Sequence, residues 1–137
     1  MVKRRPKESV MKIRSIDAPE VQAPKGGYAG LCEVTGAQRL AFVSGQIPAH
    51  VDGSVPADFL AQARLAWANV EAQLRAAGMT LDNLVKVTTF LSDRQYNLQN
   101  RQVRQEVLGS RTPALTVIIT GIFDSAWLLE IEAIAAA

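Results

Sequence analysis

PALTVIIT (residues 113–120), GIFDSA (121–126) and WLLEIEAIAAA (127–137) form the stretch that decides the fold. The two outer runs are rich in β-branched and long apolar residues, and each has the length of a strand. In the second, Leu129, Ile131 and Ala133 alternate with Leu128, Glu130, Glu132 and Ile134, which places the two sets on opposite faces. Glu130 and Glu132 therefore share a face, roughly 7 Å apart by strand rise. An unpaired charge is costly to bury, so that face meets water, a cation or a cleft. Solvent is the plain reading. What else faces the carboxylates decides whether a cleft replaces it.

Upstream, the chain alternates strand and helix signals. Lys12 to Gly27 is a polar lead-in whose Pro19, Pro24 and Gly26-Gly27 argue against a helix. Tyr28 to Val34 and Arg39 to Ser44 read as strands joined by a turn at Thr35–Gln38, which predicts a hairpin. The loop AHVDGSVP (49–56) has Asp52-Gly53 as its turn signal. From Ala57 to Ala77, Leu60, Ala63, Trp67, Val70, Leu74 and Ala77 recur at helical spacing, with Pro56 at the entry and Gly78 past the end. Leu84 to Leu91 is a third strand, with Val85, Val87, Thr89 and Leu91 on one face. Asp93 caps a second, more polar and outermost helix that runs to about Leu108. The order β-β-α-β-α-β-β predicts an α+β domain, a mixed sheet with two helices on one face. Two helices leave the other face bare, and a bare apolar face calls for a partner. A homo-oligomer is expected.

Composition excludes several classes. The 137 residues fit one domain, with 48% hydrophobic and 20% charged residues. No apolar run reaches membrane-span length, and the basic N-terminus lacks the apolar segment of a secretory signal. Cys32 stands alone, which fits a reducing cytoplasm and a small strand residue rather than a nucleophile. The sequence pI of about 8.9 suggests nucleic acid. However, residues 1–10 carry a net charge of +3 and the whole chain only +2, so residues 11–137 are slightly acidic. The basicity belongs to a flexible tail over residues 1–12, ahead of a single domain over 13–137, and Met11 is an alternative start to Met1. His50 is the only histidine and no Cys/His cluster exists, so no metal is expected. His50 itself reads as a loop residue.

Three motifs, Ser44-Gly45-Gln46-Ile47-Pro48, Lys86 through Phe90-Leu91 to Asp93, and Glu130-Ile131-Glu132-Ala133-Ile134-Ala135, stand in order around the two helices. Together they resemble the reactive-intermediate deaminase (Rid, YjgF-like) family, over about Ala18 to Ala135. The resemblance implies a chorismate-mutase-like fold and a homotrimer whose sheets face a central barrel, with small-molecule clefts between subunits. It also implies cytosolic hydrolysis of imines or enamines to a carbonyl compound and ammonia, without cofactor. Tyr28 matches the tyrosine that lines the family's cleft, and Ser44 and Gly45 match its small-residue corner. Asn100 matches a second-helix asparagine after one deletion in the preceding loop. Glu130 matches the acidic residue that positions water and shuttles a proton, a role suited to a cleft carboxylate. A core aromatic and a solvated helix position are the plain readings of Tyr28 and Asn100.

One departure matters more. Deaminating members carry an arginine two residues after the proline, where this chain has Leu115, and the family's cysteine two residues later is Val117. The fifteen-residue step from Leu115 to Glu130 agrees with the family's spacing. Leucine cannot replace a planar guanidinium fork on a carboxylate. Arg101 and Arg111 are near in sequence, but neither occupies the matching position. Two classes remain: a hydrolase or deaminase acting on an imine, enamine or related metabolite other than 2-aminoacrylate, and a non-catalytic trimer that binds a small ligand or a protein through the same clefts. An endoribonuclease ranks third, because the folded part lacks a basic groove with aromatic platforms.

Overall fold

The structure, a computed structural model, describes residues 10–137, and the expected basic tail lies outside the described residues as far as residue 9. The elements are β1 (Lys12–Ile16), β2 (Leu31–Thr35), β3 (Leu40–Gln46), α1 (Phe59–Ala76), β4 (Leu84–Leu91), α2 (Asn97–Leu108), β5 (Ala114–Ile119) and β6 (Leu129–Ala136). Four strands form a mixed sheet in the order β3-β6-β4-β5, with β4 and β5 parallel and the other neighbours antiparallel. The α+β class and the helices on one sheet face are as expected.

Two local readings are corrected. The lead-in contains a strand: β1 pairs antiparallel with β2, Ile13 opposite Val34 and Ile16 opposite Leu31. The prolines and glycines that argued against regular structure all lie in the connection that follows it. The expected hairpin between the next two strands does not form. At its turn the amides of Gln38 and Arg39 both donate to the Ala137 carbonyl, each at 2.8 Å, which carries β3 onto β6 with Leu40 opposite Ala136. A turn signal fixes where a chain bends, and long-range burial decides which strand it then joins.

Alternation in β6 places Leu129, Ile131, Ala133 and Ala135 under the helices and Glu130, Glu132 and Ile134 on the other face. In β4, an irregularity between Leu84 and Lys86 puts Leu84, rather than Val85, in the core with Val87, Thr89 and Leu91. The α1 stripe is wider than its spacing suggests, because Phe59, Gln62 and Ala66 join Ala63, Trp67, Val70 and Leu74 inside. Replacing Trp67, fully buried, by alanine would cost about 3–5 kcal/mol. Gly78 takes φ +70° past the helix end, and Gly78 and Met79 donate to the Arg75 and Leu74 carbonyls, the left-handed stop that favours glycine. Helix α2 is polar outside, yet its inner face buries Asn100, Val103, Arg104 and Leu108.

The other sheet face is uncovered. Phe42 on β3 is 73% exposed beside Ile134, and with Ser44, Lys86, Thr88 and Glu132 they line an open groove of about 440 Å³.

Candidate active site

The sequence-predicted site residues fall into two groups, on opposite sides of the sheet. The first is built by a bulge. Between Val43, opposite Ala133, and Gln46, opposite Ile131, β3 spends one residue more than β6. The extra length is Ser44-Gly45. Helix α1 holds the exit of the bulge: the Asn69 amide donates to the Ile47 and Ala49 carbonyls at 2.9 and 3.1 Å, and Gln73 donates to Gln46 at 3.3 Å. The carboxylate of Glu130 lies directly on Gly45. A Cβ there would overlap its oxygen and stand 2.7 Å from its Cδ, so only glycine leaves the acid room. Among the described residues no cation pairs with Glu130 or Glu132. The arrangement is a half-buried, unpaired carboxylate over a small-residue corner, which suits holding a water or accepting a proton.

The second group lies on the helix side of β5. Tyr28, Leu115 and Val117 meet Lys25, Asn97, Arg101 and Arg104 around a cavity of about 200 Å³. The loop that brings Tyr28 is tied to β5 by Ala29, whose amide donates to the Pro113 carbonyl at 3.2 Å and which bridges Ala114. Asn100 sits on the inner side of α2, 2% exposed, and its amide nitrogen has no acceptor. The solvated reading of Asn100 is thereby corrected. Of the two arginines named from the sequence, Arg101 lines this cavity. Arg111 does not: it pairs with Asp82 at 2.7 Å beside a separate cleft near Cys32.

Arg104 was not singled out by the sequence reading. Asn100, Val103, Arg104 and Leu108 recur at helical spacing, and that stripe is the signal that turns Arg104 inward. It is 5% exposed, donates to the Gly26 carbonyl at 3.0 Å, and leaves its Nε without an acceptor. Burial and then the neighbouring Arg101 push its pKa down, against a small raising effect of Tyr28. Gln62 was missed as well. Fully buried, it donates to Pro56 and Ala126 and accepts from the Leu128 amide, fixing the loop that delivers β6. His50 is exposed in its loop, as expected, where the Ser54 hydroxyl and amide hold the Asp52 carboxyl below its usual range. Cys32 is a half-buried strand residue of β2. Among the described residues no helix is long and apolar enough to cross a membrane.

A mixed sheet with two helices on one face, a groove beside its bulge and a polar cavity at its edge defines an α+β domain. Residues 20–137 match the family described as endoribonuclease L-PSP, and the chain belongs to that family. It is 39% identical over 72 residues to the RutC family protein YjgH of Escherichia coli K12, covering 52% of this chain and 55% of that one. TdcF of the same organism, which bears a reactive-intermediate-deaminase name, is 36% identical over 75 residues, covering 54% of this chain and 58% of its own. These sequence matches thus span little more than half the length of the two relatives. Among solved structures, the Rid-family protein YyfB of Yersinia pestis superimposes with a TM-score of 0.80 at 25% identity, covering 91% of this chain and 98% of its own. TdcF with bound serine superimposes at 0.67 and 29% identity, covering 90% and 98%. The Rid resemblance drawn from the three motifs holds at the level of family and fold.

Proposed function

We propose that the protein is a homotrimer with small-molecule clefts between subunits, and that it hydrolyses an imine, enamine or related small metabolite other than 2-aminoacrylate. The observation that carries the reading is Glu130, an unpaired carboxylate held over Gly45 by a bulge. Its distance from the Tyr28–Leu115 group supports the assembly. One chain presents the two groups on opposite sides of its sheet, so a ligand touching both needs a second copy. The bare face carrying Phe42 and Ile134 supports it too, since a patch of that kind is ordinarily an interface. Deaminase-named relatives support the chemistry at family level.

The reaction class requires water to add to the imine carbon and a proton to reach the departing nitrogen, which leaves as ammonia while a carbonyl forms. A single carboxylate can serve both steps, first accepting the proton of water and then returning it. The test is Glu130→Gln. It keeps the size and should abolish ammonia release while the mass by light scattering stays near three times 14.8 kDa. A fully active, folded Glu130→Gln trimer would turn the reading to the alternative, a non-catalytic trimer that binds a ligand or a protein in the same clefts. A monomer would remove the intersubunit cleft.

A further inference from the structure

We infer that the cavity between α2 and the edge of β5 is an anion subsite. In it Arg104, assisted by Arg101, supplies from the helix wall the guanidinium that Leu115 does not supply from the strand. The ligand then carries a small anionic group, carboxylate or phosphate. This rests on the cleft reading above and narrows its substrate class.

Four observations converge. Arg104 is buried, lines the cavity, and has an Nε hydrogen with no acceptor. A buried charged donor left unmet is expensive, so a native structure that keeps one ordinarily has a use for it. Among the described residues, Lys25, Arg101 and Arg104 form no ion pair, so no carboxylate of this chain neutralises the cavity. Two guanidiniums also converge on one backbone point. A Cβ built on Gly26, at φ +112°, would lie 3.3 Å from Nε of Arg101 and 3.4 Å from Nη2 of Arg104. Like charges held together without a counter-ion repel, and a bound anion relieves them both. Finally, Leu115 and Val117 close the opposite wall with apolar surface. That combination fits a small anion with a short apolar body, the planar fork of arginine gripping its oxygens. A grip from α2 shifts the anionic group relative to a grip from β5. It thereby selects against the geometry of 2-aminoacrylate, whose carboxylate is bonded directly to the reacting carbon.

The experiment titrates the full chain at low ionic strength with two probes, butyrate and inorganic phosphate, by calorimetry. At least one should bind saturably and weaken with added sodium chloride, and the one that binds distinguishes the carboxylate from the phosphate source. Arg104→Met should weaken binding about tenfold or more, Arg104→Lys by less, and Arg111→Met not at all. Absence of saturable binding of either probe overturns the inference. So does wild-type affinity in a folded Arg104→Met, the result expected if a carboxylate from another copy already satisfies the arginine. If Arg104→Met does not fold, Val117→Asp places a competing carboxylate at the exposed edge of the cavity. Lost binding then supports the subsite and retained binding overturns it. Glu130→Gln should keep probe binding whatever it does to turnover, so failure of the subsite and failure of the hydrolase reading are separately visible.

Discussion

Replacing Gly45 by alanine tests the carboxylate site at its tightest point. Gly45 does not take a positive φ, so alanine meets no backbone penalty there and the effect is steric. The new methyl would stand 2.7 Å from Cδ and 3.0 Å from Cγ of Glu130, against a comfortable carbon separation of about 3.5–4.0 Å. The obstacle is the far part of a flexible side chain, so the sheet can stay as it is while the carboxyl group retreats by about 1 Å. An off-rotamer side chain costs about 0.5–1.5 kcal/mol, which for a chain of this size lowers Tm by about 2–6 °C. A displacement of about 1 Å in a catalytic group costs about a hundredfold in rate. Small loss of stability and large loss of turnover should therefore separate. The assay follows ammonia release from imines generated in situ, beside a melting curve. The double variant with Glu130→Gln should be no worse than Glu130→Gln alone, since both changes act on one carboxylate. Undiminished turnover in folded Gly45→Ala would refute the reasoning, and so would additive losses in the double variant.

Two further outcomes are expected. Wild-type protein should show little or no hydrolysis of 2-aminoacrylate generated in situ, about ten- to hundredfold below a deaminase with an arginine on β5. Leu115→Arg should raise that activity, and a wild type as fast as such a deaminase would show that the α2 arginines already place this substrate. Phe42→Asp should dissociate the assembly on a sizing column with the monomer still folded, because a charge buried at an interface without a partner is strongly disfavoured. An unchanged trimer would move the interface off that face.

What was legible in the sequence is what local pattern controls. The alternation of β6 shows both its faces because one is apolar throughout and the other carries two successive carboxylates. The α1 stripe and its glycine stop are read from one helical turn to the next. The pairing of β3 with β6 is not of that kind: residues about ninety positions apart meet because the sheet needs a centre, while the nearby turn gives the same signal in either topology. β1 was hidden because five residues with two isoleucines carry little signal beside the prolines that follow. Arg104 escaped for an energetic reason. Arginine is ordinarily exposed, and only its place in the stripe from Asn100 to Leu108 argues otherwise. Glu130, Ser44 and Gly45 were named from motifs and do come together. Tyr28, Leu115 and Val117 come together elsewhere, with Asn100 on the adjoining helix face.

The position of β6 between β3 and β4 governs how the molecule can be made. β3 and β4 share no ladder of their own, and each is bonded to β6. Until that strand enters, β3 stands apart from the parallel β4–β5 pair and α1 lacks part of the surface it covers. Closing loops of such length first and gaining contacts only afterwards makes folding slow. It also leaves apolar strands open to other chains in the interval. Glu130 travels on the strand that ends this interval. A partly folded chain can therefore hold no carboxylate over Gly45, and any chemistry done there switches on in the same event that closes the sheet.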